Sequence, residues 1–204
     1  MNPNADANRR TVRQDDLRSS PIEIGSVSRT IRARSSSLAD ALNKGCDLLD
    51  CGDFTAAINQ FTLVIGMNRR CISAYLNRGL AYLRIKNFDA AIRDTKSALK
   101  INKQSADAHS NLGLVYQEIG DLDRAMACFT AAMESDTNHA VSRLNRATIL
   151  YTTGKADQAR QEWIEVLKLD PCGSAGRAAQ NNLTRMMREQ KKNRYKQAAP
   201  SDKE

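Results

Sequence analysis

Four asparagines, Asn43, Asn77, Asn111 and Asn145, follow one another at intervals of 34 residues. Each stands in a stretch whose apolar residues recur at helical spacing. Asparagine is a poor helix former, so four in register need a chemical reason. A carboxamide carries donors and an acceptor on one small group. A row of them can pair with the N–H and C=O groups of an extended peptide, whatever that peptide's side chains are. The same groups can instead bond between neighbouring helices of the chain itself. The column just before the asparagines holds Leu42, Leu76, Ser110 and Leu144, and a later one holds Cys46, Leu80, Leu114 and Thr148. The leucines Leu42, Leu76, Leu80, Leu114 and Leu144 would add a preference for a ligand with aliphatic side chains.

Other reactive side chains form no working set. There is no glycine-rich phosphate loop, and His109 and His139 have no carboxylate partner at helical spacing. Asp121-x-Asp123 lacks the glycine and terminal glutamate of a calcium loop and reads as a helix start. The five cysteines (Cys46, Cys51, Cys71, Cys128 and Cys172) are odd in number and show no CxxC spacing. They are expected to be reduced, mostly buried small residues of a reducing, cytoplasmic compartment. Zinc would need clustered thiols or imidazoles. No metal, cofactor or catalytic residue is expected, and the chain reads as a binding protein rather than an enzyme.

The asparagine ladder is one column of a wider register. Ala57, Ala91, Ala125 and Ala159 also stand 34 apart, preceded by Gly45, Gly79, Gly113 and Ala147. Leu48, Tyr82, Tyr116 and Leu150 form another column, and Val64, Ala98, Ala132 and Val166 a further one. Turns recur at Gly52-Asp53-Phe54, Lys86-Asn87-Phe88, Gly120-Asp121-Leu122 and Gly154-Lys155-Ala156. The spacing predicts two antiparallel helices of about 12–14 residues per unit. The small columns mark where the helices cross. Phe61, Thr95, Phe129 and Trp163 are expected to fill the wedge toward the next unit, with Thr95 leaving a looser joint. Pro171 closes the fourth unit.

Together these columns resemble the tetratricopeptide repeat family over residues 38–171. The match is best in the third unit, Leu112-Gly113-x2-Tyr116 with Ala125-x3-Phe129. It is weakest in the first, where Ala41 and Lys44 replace tryptophan and leucine and Arg69 replaces the terminal proline. The resemblance implies an all-α fold, a right-handed α-solenoid of antiparallel helix pairs. Its units are expected at about 38–71, 72–105, 106–139 and 140–173. It further implies that the first helix of each unit lines a concave groove into which the asparagines reach. His109, at the family's large crossing residue, is then expected in the core. Chaperone-binding members grip a terminal carboxylate with lysines, asparagines and an arginine. The matching positions here are Leu42, Cys46, Asn77, Asp107 and Asn111, of which Asn77 alone agrees. Asp107 would repel a carboxylate, so a chaperone clamp is not expected.

Charge is distributed unevenly. The 204-residue chain has a formal net charge of +8. Residues 38–171 carry 16 basic and 16 acidic side chains, against 7 and 4 in residues 1–37 and 8 and 3 in residues 172–204. The repeat body is therefore no basic nucleic-acid platform. Residues 1–37 are polar and aperiodic and are expected to be disordered. Within them Arg32-Ala33-Arg34-Ser35-Ser36-Ser37 resembles a basophilic kinase site, with Ser37 a candidate N-cap. Residues 174–190 read as a capping helix that turns Ala175, Ala179, Leu183, Met186 and Met187 to the fourth unit. Residues 191–204 read as a basic polar tail. These features describe an adaptor, scaffold or assembly factor that binds an extended segment of a partner protein or peptide. The alternative is a tether whose basic tail engages RNA or anionic membrane while the repeats dock a protein. Oligomeric state is not encoded in any of these features.

Overall fold

The computed structural model describes residues 24–198, with side chains over residues 37–193. Residues 1–23 and 199–204 lie outside that range, and with them most of the expected amino-terminal disorder and the end of the tail. Among the described residues there are nine helices and no strand: α1 (Ile24–Asp50), α2 (Phe54–Met67), α3 (Ile72–Arg84), α4 (Phe88–Ile101), α5 (Ala106–Ile119), α6 (Leu122–Ser135), α7 (Ala140–Thr152), α8 (Ala156–Leu169) and α9 (Ser174–Ala198). The chain divides into two units, Met1–Ser37 and Leu38–Glu204, and the packing that follows belongs to the second. There each helix from α2 onward packs on the next in sequence. In addition α3 touches α5, α5 touches α7 and α7 touches α9. First helices of successive units are thus neighbours, as in an α-solenoid of helix pairs.

Local chemistry starts and stops these helices where the 34-residue register requires. Asp53, Asn87, Ser105 and Asp121 each accept a backbone N–H three residues on, at 3.0–3.3 Å, and so cap α2, α4, α5 and α6. Asp121 is therefore a helix start, as its sequence context suggests. Between α8 and α9, Asp170 folds its carboxylate back to accept Ala175 N–H at 3.1 Å and Gly176 N–H at 3.3 Å. Pro171 sits in that corner, beyond the end of α8.

At the helix crossings the small column does what its size allows. A Cβ on Gly45 would lie 2.5 Å from Phe61 Cε1, and one on Gly113 would lie 2.6 Å from Phe129 Cε1. Each phenylalanine is fully buried over the glycine of its own unit. The ring also faces the next unit, as expected: Phe61 clusters with Ala74 and Ala81 of the second unit and Phe129 with Ile149 of the fourth. In the fourth unit Ala147 takes the glycine's place, and the larger Trp163 packs with it and tilts against Tyr151 at 5.4 Å. Thr95 is not a loose point. It is buried, and its hydroxyl donates to Ala91 C=O at 2.8 Å.

Expectations at the ends of the chain need correction. α1 begins at Ile24, so residues 24–37 are helical and Ser37 lies inside the helix rather than at its cap. No proline and only Gly25 interrupts that stretch, and a helix once nucleated gains one bond per added residue. At the other end α9 continues to Ala198, because Lys, Arg, Gln and Ala are good helix formers and the next proline is Pro200. On α9, Ala175, Ala179 and Met186 are buried as expected, whereas Met187 is 65% exposed. The cysteines are free, as expected, but none is fully buried, and Cys51 and Cys172 sit exposed in the turns after α1 and α8. Among the described residues no helix is long and apolar enough to cross a membrane.

Candidate functional site

Asn77, Asn111 and Asn145 occupy equivalent places on α3, α5 and α7, and α5 touches both of the others. All three are half-buried, while Asn43 on α1 is exposed. Asn77 donates to Cys46 Sγ at 3.3 Å, which ties the second unit to the first. Burial, with Asp50 and Asp47 nearby, pushes the Cys46 thiol up, so the sulfur stays neutral and accepts. Asn43, Asn111 and Asn145 have no side-chain hydrogen bond among the described residues. The ladder is thus one linked asparagine and three carboxamides with their pairing capacity unused.

One of the leucines differs from its expected role. Leu76 is buried against Ala98 of α4 and Ala108 of α5, so it belongs to the core rather than to a groove. Its column faces the place where the next unit's first helix arrives. Leu42 and Leu144 of the same column are half-buried, packed against the clusters around Phe61 and Trp163. Leu114 packs against the Phe129 cluster, and Leu80 is half-buried. His109 is half-buried rather than core, its Nε2 lying 3.1 Å from Lys103 C=O. His139 caps α7. Its Nδ1 accepts Ser142 N–H at 3.2 Å while Nε2–H donates to Asp107 Oδ1 at 3.2 Å.

A polar network that spans successive units is absent from the sequence-based reading. Arg78 on α3 grips Asp94 of α4 with a two-pronged fork, Nε to Oδ2 at 2.7 Å and Nη2 to Oδ1 at 2.8 Å. Its Nη1 donates to Thr62 of α2 at 2.8 Å. The hydrogen bond to Asp94 holds the Arg78 guanidinium above its ordinary pKa, outweighing burial. Sixty-eight residues later the arrangement returns: Arg146 bonds Glu162 through Nη2 and Thr130 through Nη1. The signal was available, since Thr62, Arg78 and Asp94 match Thr130, Arg146 and Glu162 two periods on, with opposite charges 16 apart in each set.

Comparison with known proteins agrees with this geometry. Residues 85–120 match a model described as TPR repeat, and residues 106–139 one described as tetratricopeptide repeat. No curated protein matches the chain. Among solved structures, TTC0263, a thermophilic TPR protein in Thermus thermophilus, is 18% identical with a TM-score of 0.67, over 77% of this chain and 87% of that one. MamA is 22% identical with a TM-score of 0.57, over 71% and 84%. MamA from residue 41 onward of Desulfovibrio magneticus RS-1 is 18% identical with a TM-score of 0.56, over 67% and 77%. These likenesses establish the fold. The chain therefore carries tetratricopeptide repeats over residues 85–139, in a register that runs on through the flanking units. Its repeats make it a protein–protein interaction module, on a fold that is typically non-catalytic.

Proposed function

We propose that the chain is an adaptor, scaffold or assembly factor that holds an extended partner segment along the face carrying Asn77, Asn111 and Asn145. The observation that carries this reading is the state of Asn111 and Asn145: half-buried, in register on touching helices, and without a partner among the described residues. No atom of either amide is among the buried groups without a partner, so water can meet both in the free chain, and an extended backbone supplies donors and acceptors to replace it at about 0.5–1.5 kcal/mol per bond. Because a carboxamide reads the backbone and not the side chains, affinity would depend weakly on the partner's sequence. Preference would come from Leu80 and Leu114, which are half-buried beside the ladder.

The test uses linear peptides selected from a random display library on the full chain. In a titration followed by side-chain amide resonances, a selected peptide should shift the Asn111 and Asn145 signals. Shifts confined to the amides of Asn59 and Gln60 on α2 or Gln158 and Gln161 on α8 would place the partner on the other face and end this reading.

A further inference from the structure

The first helix of each later unit packs against a second helix of its own: α3 on α4, α5 on α6 and α7 on α8. α9 begins as one more first helix. Its Ser174 stands 34 residues after Ala140, the first residue of α7. It packs on α8 and touches α7, just as α7 packs on α6 and touches α5. In the fourth unit Gly154, at φ 84°, then sits in the turn into the second helix. Thirty-four residues on, α9 carries Arg188 and runs straight ahead to Ala198. Among the described residues no second helix covers it. A groove of about 1040 Å³ is left between α8 and the later part of α9.

The residues that line this groove stand where earlier units hold their second helix. Gln180 takes the place of Arg78 and Arg146, which reach Asp94 of α4 and Glu162 of α8. Thr184 takes the place of Tyr116 and Leu150, which are buried with Phe129 of α6 and Trp163 of α8. The groove also exposes apolar surface: Ile164 of α8 is 41% exposed and Met187 of α9 65% exposed, with Leu183 half-buried beside them. Every charged residue that lines it is basic, namely Arg160, Arg188 and Lys191. Arg160 stands where the earlier units have Ile58, Ile92 and Met126, so the basic lining belongs to the last unit alone. Arg160 meets Asp157 at 4.0 Å, with both side chains open to solvent, and such a pair exchanges readily. Arg188 has no acidic partner among the described residues. Glu189 is held elsewhere on α9 by Tyr151 and Arg185.

We propose that this groove docks an acidic amphipathic helix of a partner protein, seated where the second helix of a fifth unit would lie. An apolar floor with a charged rim is the surface that receives the apolar face of such a helix. Gln180 to Lys191 span about 16 Å of α9, room for about three turns of an opposing helix. The rim selects the charge: glutamates and aspartates beside the apolar stripe would meet Arg160 and Arg188. The chain already uses this pairing twice, where Asp94 and Glu162 on second helices meet Arg78 and Arg146. A second copy has no spare helix of that kind among the described residues. Its α2 to α8 are packed in their own stack, and α1 opens with Arg29, Arg32 and Arg34. The groove is independent of the asparagine ladder, whose column continues on α9 as the buried Ala179.

The probe is a display library of helical peptides as long as α8, with leucine fixed along one face and the other positions random, selected on the full chain. Recovered peptides should be rich in Asp and Glu beside the leucines, and in solution they should shift the Met187 methyl resonance. Met187→Glu should weaken their binding roughly 10- to 150-fold, the loss of one buried apolar side chain. Arg160→Glu with Arg188→Glu should weaken it roughly 10-fold at low salt and less as salt rises. These side chains are exposed, so the melting temperature should hold in both variants. Asn111→Ala with Asn145→Ala should bind the peptides as the parent does, which separates this groove from the ladder. The proposal is overturned if no peptide is recovered, if the recovered ones carry no acidic bias, or if Met187→Glu leaves binding unchanged. A dimer of the full chain that Met187→Glu dissociates would overturn it in favour of a second copy. A shift of the Met187 methyl signal in Asp15→Lys with Asp16→Lys, without peptide, would overturn it in favour of the chain's own amino-terminal segment.

Discussion

The turn between the two helices of each unit places one residue in the left-handed region: Gly52 (φ 80°), Lys86 (60°), Gly120 (88°) and Gly154 (84°). Three of the four are glycine, for which that conformation is free of Cβ strain, while a side-chain-bearing residue there costs about 1–2 kcal/mol. Lys86→Gly should therefore stabilise the chain by about 1 kcal/mol, read as a higher urea midpoint at unchanged slope. A second contrast of this kind separates two glycines of the crossing column. Gly113→Ala drives a methyl to 2.6 Å from Phe129 and should cost about 1–3 kcal/mol. Gly79→Ala meets Thr95 Oγ1 at 3.3 Å and gains about 1 kcal/mol of helix propensity, so it should be close to neutral. Equal losses in the two melts would contradict the packing described. The crossing glycines and turn phases were legible from spacing alone. That each phenylalanine also covers the glycine of its own unit was not, because periodicity gives the face of a residue and not every neighbour that meets it.

Among elements, the helix crossings differ in chemistry. The first and third units cross as phenylalanine on glycine, while the second uses the Thr62–Arg78–Asp94 network, whose ion pair leaves side chains only 16% and 9% exposed. A pair so desolvated is weak evidence of net stabilisation, but removing one partner strands the other. Arg78→Ala should cost about 3–5 kcal/mol, and Arg78→Lys should recover little of it because an ammonium cannot bridge both oxygens of Asp94. Arg124→Ala, which removes the exposed pair with Asp121, should cost far less than Arg78→Ala. Urea denaturation of the three variants gives the ranking. The helix pairs, their lengths and the closing helix could be read from the sequence. The network could not be read one unit at a time, since its members recur only every second repeat. The outer limits of α1 and α9 were also hidden, because polar helix formers carry no apolar period to mark them.

For the whole molecule, stability and binding both follow from stacking. Each pair buries its apolar faces on its neighbours, and α9 covers the last one with Ala175, Ala179 and Met186. The repeat body has no net charge, so a segment held as proposed along the ladder would be captured by hydrogen bonding and shape rather than by long-range attraction. The asparagine column was legible as a pattern, but the unpaired state of Asn111 and Asn145, set against the bond from Asn77 to Cys46, needed the packing. The most direct measurement is the affinity of a selected linear peptide for the full chain and for the Asn111→Ala, Asn145→Ala double variant, with thermal melts of both. Loss of two neutral hydrogen bonds, about 1–3 kcal/mol together, predicts a roughly 5- to 150-fold weaker complex at an unchanged melting temperature. Equal affinity for the two proteins would contradict the account and remove the ladder from the binding surface.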